Sequence, residues 1–535
     1  MADDLNGLAG RAPVLPPGMG EGPFRGALRA FAGVVGEAHV LGPEQDLSAY
    51  LDPYAFVDPG AFACSAVVLP GSVEEVQAIV RIAAEAGVPL WTVSRGRNLG
   101  YGGAAPRLRG SVVLDLGRMN RILEVSEEHG YALIEPGVTF FDLYEYIRER
   151  RLKLWISSPA LGWGSVVGNA LERGIGYTPY GDHANQICGL EVVLGDGEVV
   201  RTGMGALPGA NTWQLFKGGW GPGLDALFLQ SNYGVVTKLG LWLLPQPDGL
   251  MSVEVKFQRE DDLEAAVDAA APLRRREVIQ NSTVLASIVR QIAGQYPRSR
   301  FYDGEGAMPD EVLEKIRRDL GLGWWLLRFN LYGDEAMLGA RFAKVRAAFD
   351  RIPGAELTFT KQLGGPDGLH AWDVQGSAGH NAGVPGLAAL QVLKFRGEDC
   401  GHLGFSPILA PKGAEAAKAY SHFKARAHEY GIDYFGGFTG GVRYLHHIFL
   451  IIYDKHDPRQ TAGANELFGV LAHEAAAQGI GEYRAHVAFM DEVADAYSWN
   501  DHALRRTQEK IKAALDPAGV LSPGKQGIWP KGVRG

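Results

Sequence analysis

The segment Ser94–Pro106 combines residue types that bind anions. It reads S-R-G-R-N-L-G-Y-G-G-A-A-P and follows an apolar run, Pro89–Val93. Glycines let backbone amides approach an anion closely and arginines supply positive charge, so this composition suits a pyrophosphate. No Lys-Ser/Thr pair closes it as in a P-loop, and Gly102, Gly103 and Pro106 disfavour the helix that follows a dinucleotide fingerprint. A surface loop without a ligand is the alternative that composition leaves open.

Several side chains elsewhere carry chemically useful groups, although each also has an ordinary structural interpretation. His402 precedes an apolar run, Tyr483 and Arg484 are adjacent, and Lys525 lies near the C-terminus. Asp182 follows a Tyr-Gly pair, where Asp commonly stabilises a turn. Taken singly, these residues favour packing, turn or surface roles as much as catalysis.

The first half of the chain is predicted to alternate short strands with helices. Helix Val73–Ala86 has apolar residues at helical spacing, Ser72 as its N-cap and Gly87 after its last turn. Gly195–Gly197 predicts the turn of a hairpin. We predict further helices at Phe24–Val35 and Phe140–Arg150, and strands at Ala66–Pro70, Pro89–Val93, Ser111–Leu116, Ile122–Val125, Tyr131–Ile134 and Leu239–Leu244.

The segment Pro245–Gly249 reads P-Q-P-D-G and predicts a domain boundary. Helices and strands then alternate in a pattern typical of an α+β domain, in which helices cover an antiparallel sheet. We predict strands near Trp324–Tyr332 and Ile448–Tyr453, and helices at Asp261–Leu273, Asp334–Phe349, Ala414–Tyr430, Ala462–Gln478 and Asp501–Leu515.

Bulk composition narrows the function classes. A chain of 535 residues is expected to form two or more domains. Its net charge of -9 argues against nucleic acid and anionic membrane as partners. Three distant cysteines, Cys64, Cys188 and Cys400, give neither a disulfide framework nor a metal-binding spacing. With no visible signal peptide and no apolar run of membrane-spanning length, we expect a cytoplasmic protein without a metal.

Six segments, in order along almost the whole chain, resemble the vanillyl-alcohol oxidase family of flavoproteins, and in particular its bacterial 4-phenol oxidase branch. Any one of them is weak evidence, whereas the ordered set is highly specific. The segments are Gly96–Pro106, Gly164–His183, Arg201–Gly209, His402–Pro407, Gly481–Arg484 and Pro523–Lys525.

The resemblance implies the fold and the cofactor. The family fold is a two-domain α+β flavoprotein, with an FAD-binding domain of the p-cresol methylhydroxylase type and a cap domain of helix-covered antiparallel sheet. Here the FAD-binding domain would comprise residues 1–248 and the C-terminal segment 481–535, and the cap residues 249–480. The opening loop would then bind the FAD pyrophosphate through its amides.

The resemblance also implies how FAD is held. In the family's oxidases a histidine at the position of His402 bonds covalently to the flavin 8α-methyl, and Asp182 would lie near that imidazole and assist the linkage. Lys525 would lie near flavin N1 and stabilise the reduced, anionic form. The other residues carried over as FAD contacts are Arg95, Gly96, Arg97, Asn98, Leu99, Gly100, Tyr101, Gly164, Ser165, Gly168, Asn169, Tyr177, Gly181, His183 and Val235.

Tyr101, Tyr483 and Arg484 match the family residues that surround the phenol oxygen of the substrate. A phenol has a pKa near ~10, and hydride leaves the para carbon far more readily from the phenolate. Two hydroxyl donors and a guanidinium stabilise such an oxyanion best in a dry pocket. These three residues and Asp182 are the expected catalytic group.

The chain departs from the family pattern in its substrate pocket. Ala160 stands where the family's oxidases carry an Asp near flavin N5, and an alanine can neither take a proton nor orient water. Gly437 and Thr439 replace larger side chains, which suggests room for ring substituents or a bulkier para group, unless the glycines of the run Phe435–Gly441 form a bulge. Gly404 and Ser406 complete the expected pocket wall.

The sequence therefore predicts an FAD-dependent oxidase of para-substituted phenols that works through a p-quinone methide and reduces O2 to H2O2. The expected partners are a small phenolic substrate, O2 and a second copy in a homodimer. One alternative is a cytochrome-coupled 4-phenol dehydrogenase. Another is a flavin-binding protein whose turnover is impaired because Ala160 replaces the family's Asp.

Overall fold

The computed structural model describes residues 14–54 and 58–533, and within them the strands form four sheets. Helices and mostly antiparallel strands are mixed along the chain, which confirms the predicted α+β class. Within the described part of the chain, no helix combines the length and apolar character needed to cross a bilayer.

The N-terminal elements form a four-stranded sheet of order β1-β2-β4-β3, with α1 and α2 packed beside it. The Ser72 hydroxyl accepts a hydrogen bond from Glu75 N at 3.2 Å, and Gly87 ends the helix with φ of 68°, as predicted. Strand β3 leads directly into the loop Ser94–Pro106. The elements are α1 (Glu21–Val35), β1 (Val40–Leu41), β2 (Ala66–Val68), α2 (Val73–Ala86), β3 (Leu90–Val93) and β4 (Val112–Asp115).

A five-stranded antiparallel sheet of order β5-β6-β10-β8-β9 follows, and β7 pairs with β11 in a separate ribbon. Helix α3 begins with a reciprocal cap between Thr139 and Asp142. The elements are β5 (Ile122–Ser126), β6 (Tyr131–Ile134), α3 (Phe140–Glu149), β7 (Leu154–Trp155), α4 (Val166–Leu171), β8 (Ile187–Leu194), β9 (Val199–Arg201), β10 (Gly234–Trp242) and β11 (Leu244–Pro245).

From Gly249 the chain builds a nine-stranded antiparallel sheet of order β15-β12-β14-β13-β18-β19-β17-β20, in which β16 also pairs with β19. Helices cover one face through a large apolar core. The elements are β12 (Gly249–Phe257), α5 (Asp262–Arg275), β13 (Thr283–Ser287), α6 (Ile288–Ile292), α7 (Asp310–Leu320), β14 (Trp325–Tyr332), α8 (Glu335–Phe349), β15 (Glu356–Leu363), β16 (Cys400–Phe405), β17 (Pro407–Leu409), α9 (Gly413–Glu429), β18 (Gly436–Gly440), β19 (Leu445–Asp454), α10 (Pro458–Ala477) and β20 (Gly481–Glu482).

Several elements of this region were not predicted, namely the strands β12, β13, β15, β16, β17, β18 and β20 and the helices α6 and α7. Strands β16 and β18 contain glycine, which lowers strand propensity, and pairing with β19 stabilises them nevertheless. The alternative of a bulge at Gly436–Gly440 is wrong, because β18 pairs in continuous register with β13 and β19.

The C-terminal segment adds α11 (Met490–Ala496) and α12 (Trp499–Leu515) and then returns to the first sheet. Leu90 N donates to Val520 O at 2.7 Å, and Ser522 N donates to Leu90 O at 2.8 Å. The domain limits at 248 and 480 stay predictions, and these hydrogen bonds place the segment beside β3, where the predicted arrangement requires it.

A buried ion pair anchors this return. Lys512 Nζ lies 2.6 Å from Asp516 Oδ2, with side-chain exposures of 1% and 0%. The ammonium also donates to Asn232 O and Leu521 O, and the Asp516 carboxylate accepts from Leu521 N. Burial lowers the pKa of Lys512 to about 8 although Asp516 opposes that change.

We expect Asp516→Asn to lower the melting temperature, because the Lys512 ammonium then stays buried without its counter-charge. Removing one partner of a buried ion pair costs about 3–5 kcal/mol. Thermal unfolding measures the change. The matched control is Asp319→Asn, which breaks the exposed pair of Asp319 with Lys315 and should cost about 1 kcal/mol at most. A melting temperature equal to that of the wild type would contradict the anchoring role.

Candidate active site

A cavity of about 1230 Å³ is lined by residues from the anion-binding loop, the large sheet and the C-terminal segment. Much of the set predicted to contact FAD or substrate lines it. These residues are Arg95, Gly96, Arg97, Asn98, Leu99, Tyr101, Ala160, Gly164, Ser165, Gly168, Asn169, Tyr177, His402, Arg484 and Lys525. The structure thus brings segments more than 400 residues apart to one wall. Among the described residues, no group of three or more His, Cys, Asp or Glu could hold a metal ion.

The loop after β3 is held open by glycines in left-handed conformations. Gly96, Gly100, Gly102 and Gly103 have φ values of 61°, 79°, 108° and 59°. A Cβ at Gly96 would lie 2.7 Å from the Ala104 side chain, so a larger residue would not fit. These conformations and this packing require glycine, as is typical of loops that bind anions through backbone amides.

The segment that begins at Gly164 packs tightly against that loop. Ser165 accepts from Gly168 N at 2.9 Å at the start of α4. A Cβ at Gly168 would lie 2.5 Å from the Ser94 hydroxyl, so glycine permits the contact between the two segments. Asn169 lines the cavity and is fixed from behind by His183 Nδ1, 2.6 Å from its side-chain oxygen. The fit of these residues supports a bound diphosphate between the two segments.

Five predicted cofactor residues do not line the cavity, namely Gly100 and Asp182, which are described below, and His183, Val235 and Gly181. His183 is buried behind α4 with its ring against Phe140, and burial lowers its pKa to about 4. The Val235 side chain belongs to the apolar core of the first sheet, while its neighbours Gly234 and Val236 face the cavity. Gly181 packs against the Gly176 carbonyl, which a Cβ would approach to 2.3 Å. The last three of these residues lie behind the cavity wall rather than on it. This corrects the expectation that they contact FAD directly and indicates that they support the residues that line the cavity.

His402 lies on β16 and lines the cavity beside the loop. A Cβ at Gly100 would lie 2.1 Å from its Nδ1, so Gly100, which does not itself line the cavity, makes room for the imidazole. That Nδ1 is buried with no hydrogen-bond partner among the described residues. Burial lowers the pKa of His402 to about 4, with Asp52 opposing and His486 reinforcing the shift. The imidazole is therefore neutral at pH 7 and keeps a free lone pair.

The structure does not bring Asp182 to His402 as expected. Its carboxylate accepts a hydrogen bond from Asn185 at 2.7 Å and another from the Tyr444 hydroxyl at 3.5 Å. The carboxylate whose charge acts on His402 is instead Asp52, which lies 2.8 Å from His486 Nε2. The prediction was wrong because Asp182 stabilises its own turn, whereas the fold places His402 beside a different carboxylate.

Arg484 organises the predicted phenol-binding residues. Its guanidinium carbon lies 4.1 Å from the ring centroid of Tyr101 and 6.0 Å from that of Tyr483. Nη2 donates to Asn98 Oδ1 at 3.0 Å, which ties the cluster to the loop. Burial raises the pKa of both tyrosines, so both hydroxyls keep their protons at neutral pH. Tyr483 lies behind the cavity wall, with the ring of His446 packed at 4.5 Å.

Gly404 and Ser406 lie against Tyr101 rather than on the cavity wall itself. A Cβ at Gly404 would lie 2.9 Å from the Tyr101 hydroxyl oxygen, so a larger residue would displace that hydroxyl. The Ser406 side chain interacts with the same hydroxyl. Both residues therefore fix the position of Tyr101.

Lys525 forms an ion pair at the cavity wall and is not a solvent-exposed lysine of the C-terminal segment. Its Nζ lies 2.6 Å from Glu172 Oε1, and both residues line the cavity. Burial raises the pKa of Glu172, but Lys525 and Arg484 outweigh it and the net pKa is lowered, so the carboxylate is ionised. Glu172 was not predicted as a site residue. It lies within the motif Gly164–His183, but nothing in the sequence distinguishes it from an ordinary helix residue.

Glu482 is a second missed acid, next to Tyr483 in the chain. Its Oε2 accepts from Ser406 N at 2.8 Å and its Oε1 from Arg484 N at 3.4 Å. Burial raises its pKa to about 8, although these amides and the charge of Arg484 act in the opposite direction. An uncharged Glu482 at pH 7 leaves Arg484 and Lys525 with the single carboxylate of Glu172 to share, so a net positive charge remains. The sequence could have pointed to Glu482, because it is an acidic residue within the family motif Gly481–Arg484 and directly precedes Tyr483.

The substrate wall differs from expectation at Gly437. Gly437 and Thr439 pair with Ala286 and Val284, which line the cavity, so all four lie on the same face of the sheet. A Cβ at Gly437 would lie 2.1 Å from Leu285 O and 3.2 Å from Arg290 Nη1. The space expected to be free is thus occupied by backbone and by Arg290, a correction to the idea of an enlarged pocket at this point.

Comparison with known proteins agrees with this geometry. Residues 64–203 match the model of an FAD binding domain, and residues 326–526 match that of the C-terminal domain of FAD linked oxidases. The chain is 38% identical over 517 residues to the flavoprotein subunit of 4-cresol dehydrogenase [hydroxylating] from Pseudomonas putida, which covers 96% of this chain and 98% of that protein.

Two solved structures share the fold throughout. The 4-ethylphenol oxidase from Gulosibacter chungangensis has a TM-score of 0.92 at 39% identity, covering 97% of this chain and 100% of that one. A p-cresol methylhydroxylase with substrate bound has a TM-score of 0.91 at 38% identity, covering 96% and 99%. The predicted two-domain fold is confirmed, and the chain belongs to the vanillyl-alcohol oxidase family of FAD-linked oxidoreductases.

Proposed function

We propose that the protein is an FAD-dependent oxidase of para-substituted phenols that forms a p-quinone methide and reduces O2 to H2O2. The observation that carries the proposal is the buried cluster of Tyr101, Tyr483 and Arg484 beside the cavity that His402 also lines. The substrate classes in the names of the 4-cresol dehydrogenase and the 4-ethylphenol oxidase support it.

The cluster suits a phenolate oxygen. The always-protonated guanidinium of Arg484 and the protonated hydroxyl of Tyr101 belong to the cavity wall, and the protonated Tyr483 packs behind them. Hydrogen bonds to an ionised oxygen are about twice as strong as neutral ones, and burial increases their effect. Binding the phenolate more tightly than the phenol lowers the substrate's pKa and pushes electron density toward the para carbon.

The residues present fit FAD. The Ser94–Pro106 loop and the Gly164 segment provide a glycine-rich cradle, and Lys525, held by Glu172, supplies a cation in a fixed place in the same wall. When bound, FAD supplies the acceptor for the hydride that leaves the para side chain's α carbon and so turns the phenolate into a p-quinone methide. The chain's residues hold the phenolate, and Ala160 in the wall cannot itself act as a base in the next step.

We further propose that His402 carries FAD through an 8α-histidyl bond. Its imidazole is neutral, buried and held against Gly100, which preserves a nucleophilic lone pair in a fixed place. A pKa near 4 means that the attacking nitrogen stays unprotonated at every physiological pH.

We expect flavin absorbance to remain with the wild-type protein after acid precipitation and to be released from His402→Ala, because only the wild type would contain the bond. His446→Ala is the matched control: its imidazole is also buried, with a pKa lowered to about 4 by burial, and it should keep the flavin attached. Release of the flavin from wild-type protein by acid would show that the His402 assignment is wrong.

The pH dependence of phenolate binding should reflect the ionisation of the Glu482 carboxyl. Below about pH 8 this carboxyl is neutral, and above it the new negative charge weakens the attraction between Arg484 and a phenolate. The affinity for 4-nitrophenolate, an ionised phenol without an α hydrogen, should therefore fall as pH rises through about 8 in the wild type. Glu482→Gln should abolish that fall. Identical pH profiles for both proteins would contradict the charge assignment.

A dehydrogenase that uses a cytochrome instead of O2 is the second candidate, favoured by the name of the 4-cresol dehydrogenase relative. Air-saturated enzyme given 4-ethylphenol, without any added acceptor, should produce one H2O2 for each substrate oxidised. Flavin that bleaches anaerobically but yields no peroxide in air would favour the dehydrogenase. Flavin that never bleaches with any 4-alkylphenol would favour the impaired flavin-binding protein. The homodimer and the cytoplasmic location stay predictions.

A further inference from the structure

Arg290 presents an unsatisfied positive charge to the cavity. It lies on the short helix α6, directly after β13, and lines the cavity wall. Among the described residues, no carboxylate pairs with it, and its Nη1 is buried with no hydrogen-bond partner. Other cations of the same wall are engaged: Arg328 with Glu254 at 2.7 Å and Lys525 with Glu172 at 2.6 Å.

An unpaired buried guanidinium is costly, because desolvation is not repaid by an opposite charge. Burial lowers the pKa of Arg290, whereas the phenols of Tyr177 and Tyr434 oppose that change. Arg nevertheless stays protonated in proteins, so the charge persists. The Tyr434 hydroxyl is already within 2.6 Å of His447 Nε2. The groups around Arg290 thus leave its charge without a counter-ion.

The position of Arg290 points to the substrate rather than to the diphosphate. It lies on the large sheet's side of the cavity, outside both segments expected to bind the FAD diphosphate. Its Nη1 would be 3.2 Å from a Cβ at Gly437, and Gly437 pairs with Ala286 of the cavity wall. A side chain at position 437 would fill that space, so glycine there lets the guanidinium reach the wall.

We infer that Arg290 binds a carboxylate on the para side chain of the substrate, so that the enzyme prefers phenols with an anionic side chain. The planar guanidinium can donate two parallel hydrogen bonds to a carboxylate, a geometry that a neutral ester cannot match. The phenol oxygen would lie at Tyr101 and Arg484, which line the same cavity. This inference rests on the proposed function and specifies its substrate class.

The test compares 3-(4-hydroxyphenyl)propanoate with its methyl ester, using the ratio of their kcat/KM values. The wild type should prefer the acid, and Arg290→Gln should lower that ratio by about 10- to 100-fold, the effect expected for hydrogen bonds to a charged group. The double variant Arg328→Gln, Glu254→Gln is the matched control, because it removes a cation of the same wall together with the carboxylate that neutralises it. It should change the ratio by less than about twofold.

A wild-type enzyme that does not prefer the acid, or an Arg290→Gln variant that loses acid and ester activity equally, would overturn the inference. The second result would indicate contact with FAD or a structural role. If Arg290→Gln does not fold, Arg290→Lys keeps the charge, loses the paired donors and should lower the ratio partially.

Binding without turnover separates this inference from the proposed function. The ligands are 3-(4-methoxyphenyl)propanoate and its methyl ester, which cannot form a phenolate, and the readout is the shift of the flavin absorption spectrum on titration. Tighter binding of the acid that depends on Arg290 supports the carboxylate site even if no phenol is ever oxidised. Equal affinities would refute it, whatever the outcome with 4-ethylphenol.

Discussion

The burial of positive charge at the cavity wall is the constraint on which the proposed site depends. Arg484 is enclosed by two tyrosine rings and held by Asn98, and its charge is not cancelled by Glu482, whose pKa is raised to about 8. Lys525 is balanced by Glu172 in the same wall. Arg484 also interacts with Glu172, so two cations share one carboxylate and a net positive charge stays buried. A buried net charge attracts an oxyanion far more strongly than one in water. Phenolate binding, and everything that follows from it chemically, rests on this balance.

Close packing with glycine makes the balance geometrically possible. Gly100 admits the His402 imidazole, Gly404 admits the Tyr101 hydroxyl and Gly437 admits the Arg290 guanidinium, each within about 3.2 Å of where a Cβ would lie. A Cβ would collide with the His402 imidazole at position 100, with the Tyr101 hydroxyl at position 404 and with the carbonyl oxygen of Leu285 at position 437. The large sheet, which supplies two of these glycines, therefore acts as a rigid frame against which the loop after β3 is positioned. The C-terminal return, fixed by Lys512 and Asp516, places Lys525 in the same wall.

Local chemistry could be predicted from the sequence, whereas long-range placement could not. The loop Ser94–Pro106, helix α2 with its Ser72 cap and most helices follow from spacing and turn residues. Tyr101, Arg484 and His402 were found through ordered motifs. Asp182 was misplaced, and Glu172 and Glu482 were missed, because only the folded chain decides which carboxylates lie beside a cation. The glycine-containing strands β16 and β18 are stabilised by pairing with β19. This long-range pairing cannot be predicted from the local sequence.

The protonation state of a bound phenol tests the central claim most directly. 4-Nitrophenol labelled with carbon-13 at its hydroxyl-bearing carbon can be bound to the enzyme at a pH about one unit below its own pKa and observed by NMR. If Arg484 and the two tyrosines form an oxyanion site, the bound ligand will show the chemical shift of the phenolate, and Arg484→Met will return it to that of the phenol. A phenol shift in the wild-type complex would contradict the account.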